Sequence, residues 1–294
     1  MRGQVYRSLP SHHNSRPIVS SLRTYIFSGL FGCITLFLLY NLSPILYSKF
    51  APINNMATFE HFTSNRPMAV VFGDSITQQG FITENSGWVG LLADYWTRKV
   101  DVINRGYSGY NTRLGLNMVR EVVCPLKPSF VTVFFGANDA SVEGTLHHVP
   151  LNDFVSNMEG IISILKKDLP AATIVLITPP PVYEPTLTAM NIKKGKAIIN
   201  DRNQANTKRY VDAVKAVGER HSLSVIDVFA LLKGEDPSGA REEFLSDGLH
   251  LNSKGNVALY EAFVDEITTA HPQWDAAKME MDRPGWSDAL MALK

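Results

Sequence analysis

From residue 67 onward, short unbroken apolar runs alternate with longer stretches whose apolar positions recur every three or four residues. The runs are Met68–Phe72, Val100–Asn104, Phe130–Phe135, Thr173–Thr178 and Ser224–Asp227. Most are continuous Val, Ile, Leu and Phe rather than alternating, the pattern of parallel strands covered on both faces. Helical periodicity falls near Gly87–Arg98, Arg113–Val123, Asp153–Asp168, Ile199–His221 and Asn256–His271. This βαβ alternation, without an internal repeat, predicts an α/β domain of three layers, α/β/α, with a doubly wound, mainly five-stranded parallel sheet.

The first part of the chain reads differently. Tyr25–Tyr40 is almost wholly apolar and NLSPILY extends it to Tyr47, the length of a spanning helix. The predicted organisation is therefore a basic polar leader at 1–24, a transmembrane signal-anchor helix at 25–47 and a linker at 48–66, followed by the α/β domain at 67–272 and a tail at 273–294. No small-residue cleavage site follows the apolar run, which argues against removal as a secretory signal. Single-pass membrane attachment is the expected location. An acid-free leader rich in Arg and Ser also resembles a mitochondrial targeting segment, and initiation at Met56 would give a cytoplasmic domain alone.

Charge and cysteine content narrow the partners. Five of the 28 basic residues and none of the 28 acidic ones fall in Met1–Phe59, leaving the remainder at about −5. No basic stripe interleaved with aromatics runs through that remainder, so nucleic acid is not an expected partner. The two cysteines, Cys33 and Cys124, form neither a C-x-x-C pattern nor a disulfide framework, and no cofactor motif is present. Adjacent His147 and His148 point different ways and no clustered carboxylate completes a metal site.

In a doubly wound sheet the ligand site lies beyond the carboxyl ends of the strands. Ser75, Gly106 and Asn138 come within a few residues of the ends of the first three runs, and Asp247 and His250 precede the last helix. A serine hydroxyl needs a neighbouring base before it attacks. His250 suits that work, and Asp247, three residues earlier, suits the task of holding the imidazole. Backbone N–H groups of Ser75 and Gly106 and the Asn138 amide are the candidate donors to an oxyanion.

The blocks FGDSIT, NRGYSGYNT, FFGANDA and DGLHLNSKGN, in this order, resemble the signature blocks of the GDSL or SGNH hydrolases. TPPPVYE and DRNQANTKRYVDAV make the chain most similar to the isoamyl acetate-hydrolysing esterase group. The resemblance implies the flavodoxin-like fold of that family. It also implies Ser75 as nucleophile, His250 as base, Asp247 as its orienter, and Ser75, Gly106 and Asn138 as the oxyanion hole. The expected activity is hydrolysis of short- to medium-chain or acetate esters through an acyl-serine. A carbohydrate O-deacetylase, a thioesterase, a lysophospholipase or a non-catalytic binding module would use the same positions.

Taken singly, these residues have plainer readings. Ser75 is a preferred helix N-cap, Asn138 a turn residue, Asp247-Gly248 a ready turn and His250 a surface side chain. Ser108 is a rival nucleophile, but Tyr110 occupies the place where a G-x-S-x-G elbow needs glycine. Trp88, Tyr95 and Trp96 have the spacing of core packing, and Lys193–Lys196 reads as a solvated loop. The segment Pro179–Lys196, long and Pro-rich at its start, is expected to line the acyl or alcohol pocket.

Overall fold

The computed structural model describes residues 66–293; the leader, the apolar run and most of the linker lie outside the described residues. Among the described residues no helix is long and apolar enough to cross a membrane. Five strands form one parallel sheet: β1 (Met68–Gly73), β2 (Asp101–Gly106), β3 (Phe130–Phe134), β4 (Thr173–Ile177) and β5 (Ser224–Ile226). Their spatial order is β2-β1-β3-β4-β5, so the direction of winding reverses between β1 and β3. Crevices at such reversals are where open α/β sheets bind ligands.

Alternation along β1 shows why both faces must be covered. Ala69 and Val71 enter one apolar cluster with Trp88, Leu92, Leu259 and Phe263, from α2 (Trp88–Tyr95) and α8 (Ser253–Ala270). Val70 and Phe72 enter the other with Val119, Met158, Ile161 and Val214. These come from α3 (Thr112–Val122), α4 (Leu151–Asp168) and α6 (Gln204–His221). Asn111, Asn203 and Asn252 start α3, α6 and α8, each side-chain oxygen accepting a backbone N–H of the first turn.

Three local features depart from the sequence reading. The second strand runs two residues further than expected, so Gly106 is its last residue and pairs in register with Gly73. The segment Pro179–Lys196 is not all loop but carries α5 (Glu184–Lys193), which buries only Leu187 and Asn191. Residues past 272 do not trail away. Trp274 packs against Trp96 and Phe130, at ring-centroid distances of 6.1 and 5.3 Å, and its indole N–H donates to Thr173 Oγ1 at 2.9 Å. Beyond it, Asp282 pairs with Arg98 at 3.4 Å and with Arg66, immediately before β1, at 3.5 Å.

Candidate active site

β1 delivers the first residue. A Cβ on Gly73 would lie 2.3 Å from Thr77 Oγ1 and 2.5 Å from the Phe134 carbonyl, so the backbone turns tightly between two neighbours. Asp74, not Ser75, caps the four-residue helix α1 (Ser75–Gln78), its Oδ1 accepting the Ile76 N–H at 2.9 Å. Ser75 is therefore the first helical residue. A helix this short adds little dipole, so the hydroxyl's setting comes from its neighbours.

His250 arrives from the other end of the chain. Leu245 and Leu251 form an antiparallel bridge, and Ser246 N–H donates to the His250 carbonyl at 2.8 Å. Gly248, at φ +84°, turns the loop between them. Its Cβ would meet the Tyr183 carbonyl at 2.5 Å and Leu187 N at 2.7 Å, so the segment around α5 buttresses this turn. Asp247 Oδ1 accepts the N–H groups of Leu249 (3.1 Å) and His250 (2.9 Å), which leaves Oδ2 to face the imidazole.

His250 Nδ1 lies 2.9 Å from Asp247 Oδ2, and Nε2 lies 2.9 Å from Ser75 Oγ. A carboxylate only accepts, so the proton belongs on Nδ1 and the Nε2 lone pair faces the hydroxyl. Burial alone would raise the Asp247 carboxyl. The hydrogen bond and charge of His250 and the two backbone N–H groups outweigh it and hold the carboxyl below the usual carboxylate range. Ser75, His250 and Asp247, apart by up to 175 positions in sequence, thus form one hydrogen-bonded line.

Asn138 follows β3 and is 4 % exposed. Its Nδ2 donates to the Tyr110 carbonyl at 2.9 Å, while Oδ1 accepts from the Arg202 guanidinium at 2.7 Å. An amide nitrogen carries two hydrogens, so one donor remains after Tyr110 is served.

Gly106 does not present a free donor. Its N–H is 2.8 Å from Asn104 Oδ1, and a Cβ there would lie 2.0 Å from Gln78 N and 2.6 Å from Thr77 C. Close passage of α1 over the strand accounts for that glycine. The next glycine, Gly109, sits at φ +79° in the turn Tyr107–Tyr110, which is closed by Tyr110 N–H to Tyr107 O at 3.1 Å. Asn138 bonds the Tyr110 carbonyl of this same turn. A glycine two residues before an Asn-Thr helix start was the available signal for it.

Two further carboxyls are buried beside these residues. Asp74 is pushed up to about 7 by burial, against the Ile76 N–H and His250. Asp139 is pushed up to about 6 by burial, although its Oδ1 accepts from Thr112 N–H (2.8 Å) and Thr112 Oγ1 (2.5 Å). The second oxygen of each lacks a hydrogen-bond partner.

The remaining candidates fall elsewhere. Ser108 is exposed and its amide donates to Gln78 Oε1 at 2.8 Å. His147 and His148 brace two different loops, through Gly109 O at 3.1 Å and Ser141 O at 2.6 Å. Trp88 and Trp96 are fully buried in the core. Among the described residues no group of three or more His, Cys, Asp or Glu side chains is arranged to hold a metal ion.

Residues 71–258, which contain every residue of this cluster, match the GDSL-like lipase/acylhydrolase family. The chain belongs to that family. A GDSL esterase/lipase of Arabidopsis thaliana is 38% identical over 206 residues, 67% of this chain and 83% of the relative. An isoamyl acetate-hydrolyzing esterase 1 homolog of Mus musculus is 37% identical over 239 residues, 76% of this chain and 94% of the relative. Among solved structures, a lipase/acylhydrolase from Enterococcus faecalis superposes with a TM-score of 0.55 at 27% identity, covering 74% of this chain and all of that one. An acetylxylan esterase from Geobacillus stearothermophilus, at 23% identity and a TM-score of 0.52, shares the fold and covers 68% of this GDSL-family chain and 94% of its own.

Proposed function

We propose that this GDSL-family protein is a serine esterase that hydrolyses small, fairly apolar carboxylic esters through an acyl-serine intermediate. The observation that carries the reading is the unbroken line from Ser75 Oγ through His250 to Asp247, with 2.9 Å at each contact. Ser75 Oγ attacks the ester carbonyl carbon as its proton passes to His250 Nε2. Asp247, kept ionised, steadies the imidazolium through Nδ1–H.

The tetrahedral oxyanion takes hydrogen bonds from the Ser75 N–H, the second Asn138 Nδ2–H and an N–H of the β2–α3 turn. We assign that third donor to Gly109 rather than Gly106, because the Gly106 N–H is already given to Asn104. Collapse breaks the bond to the alcohol oxygen, which receives the proton from His250. Water, deprotonated by His250, then releases the acid and restores Ser75.

Acetate or short acyl chains are the preferred substrates in this reading, supported by similarity to relatives named for isoamyl acetate hydrolysis. We assign the alcohol or acyl pocket to the segment Pro179–Lys196, whose α5 leaves Ile192 exposed. Assay of 4-nitrophenyl acetate and alkyl acetates with wild type, Ser75→Ala and His250→Ala tests the mechanism. Loss of turnover in both variants is expected; undiminished hydrolysis by Ser75→Ala would refute it. Exchange of residues 179–196 without a change in chain-length preference would remove the pocket assignment.

A further inference from the structure

We infer that Arg202 is a positioning residue for Asn138, setting which way its amide faces and how strongly its N–H donates. The inference rests on the reading of Asn138 as an oxyanion donor. Arg202 is 5 % exposed and its guanidinium bonds both the Asn138 side chain and the backbone just before it. Nε donates to the carbonyl of Ala137, the preceding residue, at 3.0 Å, and a terminal nitrogen donates to Asn138 Oδ1 at 2.7 Å.

The chemistry of the partners removes any freedom to flip. Arginine offers only donors, so the atom it meets must be the amide oxygen; the Tyr110 carbonyl offers only an acceptor, so the atom it meets must be the nitrogen. With both ends assigned, the second Nδ2–H has one direction left. A cation on the amide oxygen also draws electron density through the amide, and such chained hydrogen bonds strengthen one another in a low-dielectric interior.

Arg202 is itself held. Its other terminal nitrogen lies 3.0 Å from Asp201 Oδ2, which also accepts from Lys196 Nζ at 2.9 Å, while Asp201 Oδ1 accepts from Asn191 Nδ2 at 2.9 Å. Asp201 and Asn191 are buried too. A buried ion pair returns little net stability once both charges are desolvated, so stability alone is a weak reason for such an assembly. Fixing a reacting group's orientation is a sufficient one.

The test is a double-mutant cycle on 4-nitrophenyl acetate hydrolysis with Arg202→Met, Asn138→Ala and the two combined. Arg202→Met is expected to lower kcat by about 10- to 100-fold with KM changed less than about twofold, since removing a whole oxyanion donor costs about 100- to 1,000-fold. In the Asn138→Ala background the same substitution should change kcat by less than about twofold. Equal losses in both backgrounds, or no loss from Arg202→Met, would overturn the inference. Asn138→Ala with wild-type kcat would instead remove the oxyanion reading itself, and the inference with it. Should the lone buried Asp201 prevent folding, the cycle is run with Asp201→Asn/Arg202→Met, which removes both charges together and carries the same two expectations.

Discussion

Asp74 offers a quantitative test of the buried charge beside Ser75. Its carboxyl is 1 % exposed, bonded through Oδ1 alone, and raised by burial from 3.8 to about 7. An acid whose pKa is higher in the fold than in the unfolded chain holds its proton more tightly when folded. The native state is therefore fully supported below about pH 4 and loses stability as pH rises toward 7. At about 1.36 kcal/mol per pKa unit, a rise of about three units makes that loss about 4 kcal/mol by pH 8. Asp74→Asn keeps the oxygen that caps Ile76 and cannot ionise. Guanidinium unfolding followed through the buried Trp88 and Trp96 should show the variant gaining on wild type, from under about 2 kcal/mol at pH 5 to about 4 kcal/mol at pH 8. Asp139 is present in both proteins, so its own titration largely cancels from the difference. A stability gap that stays constant from pH 5 to pH 8 would refute the reasoning.

Other substitutions test separate steps. Asp247→Asn should lower kcat by about 10⁴-fold, because the proton then settles on the wrong imidazole nitrogen. Since the Asp247 carboxyl is depressed in the fold, the stability it lends is present above about pH 4 and fades as pH falls below that, which acid unfolding of the variant and wild type will compare. Gly106→Ala should unfold or strongly destabilise the protein, because the methyl would sit 2.0 Å from backbone Gln78 N; Gly109→Ala, with nothing nearer than 3.5 Å, should cost only the about 1–2 kcal/mol of a left-handed alanine. A thermal melt separates the two, and equal melting temperatures would contradict the packing account. Trp274→Ala should cost about 3–5 kcal/mol, or roughly 10 °C in Tm, whereas a detached tail would cost nothing.

How much of this was legible beforehand depended on what each residue does. The strands were readable because burial on both faces leaves continuous apolar runs, and β1 and β3 are buried almost throughout. Ser75, Asn138, Asp247 and His250 could be placed because each stands at a strand end or before a helix start, where topology alone fixes the rim. At Gly106 the N–H expected to face an oxyanion is bonded to Asn104 instead, and a glycine needed for close backbone approach looks, in a string of letters, like one needed for an exposed amide. α5 was missed since a helix burying two residues leaves no stripe. Arg202 gave no signal because a charged residue in a polar stretch reads as surface until its partners are seen. Trp274, a single aromatic among polar neighbours, likewise reads as a tail until its ring is found in the core.

The ion pairs of Arg66 and Arg98 with Asp282 bring the entry to β1 and the end of the packed C-terminal segment side by side. They meet at the amino ends of the strands, while Ser75 lies past the carboxyl end of β1, six residues and roughly 20 Å away. A short linker there would close the domain into a ring without approaching the rim that carries Ser75 and His250. New ends opened at the exposed stretch Lys193–Ala197 would cut no strand. The fold is thus suited to circular permutation, and in such a permutant the order of Ser75 and His250 along the chain would be reversed with their 2.9 Å contact unchanged.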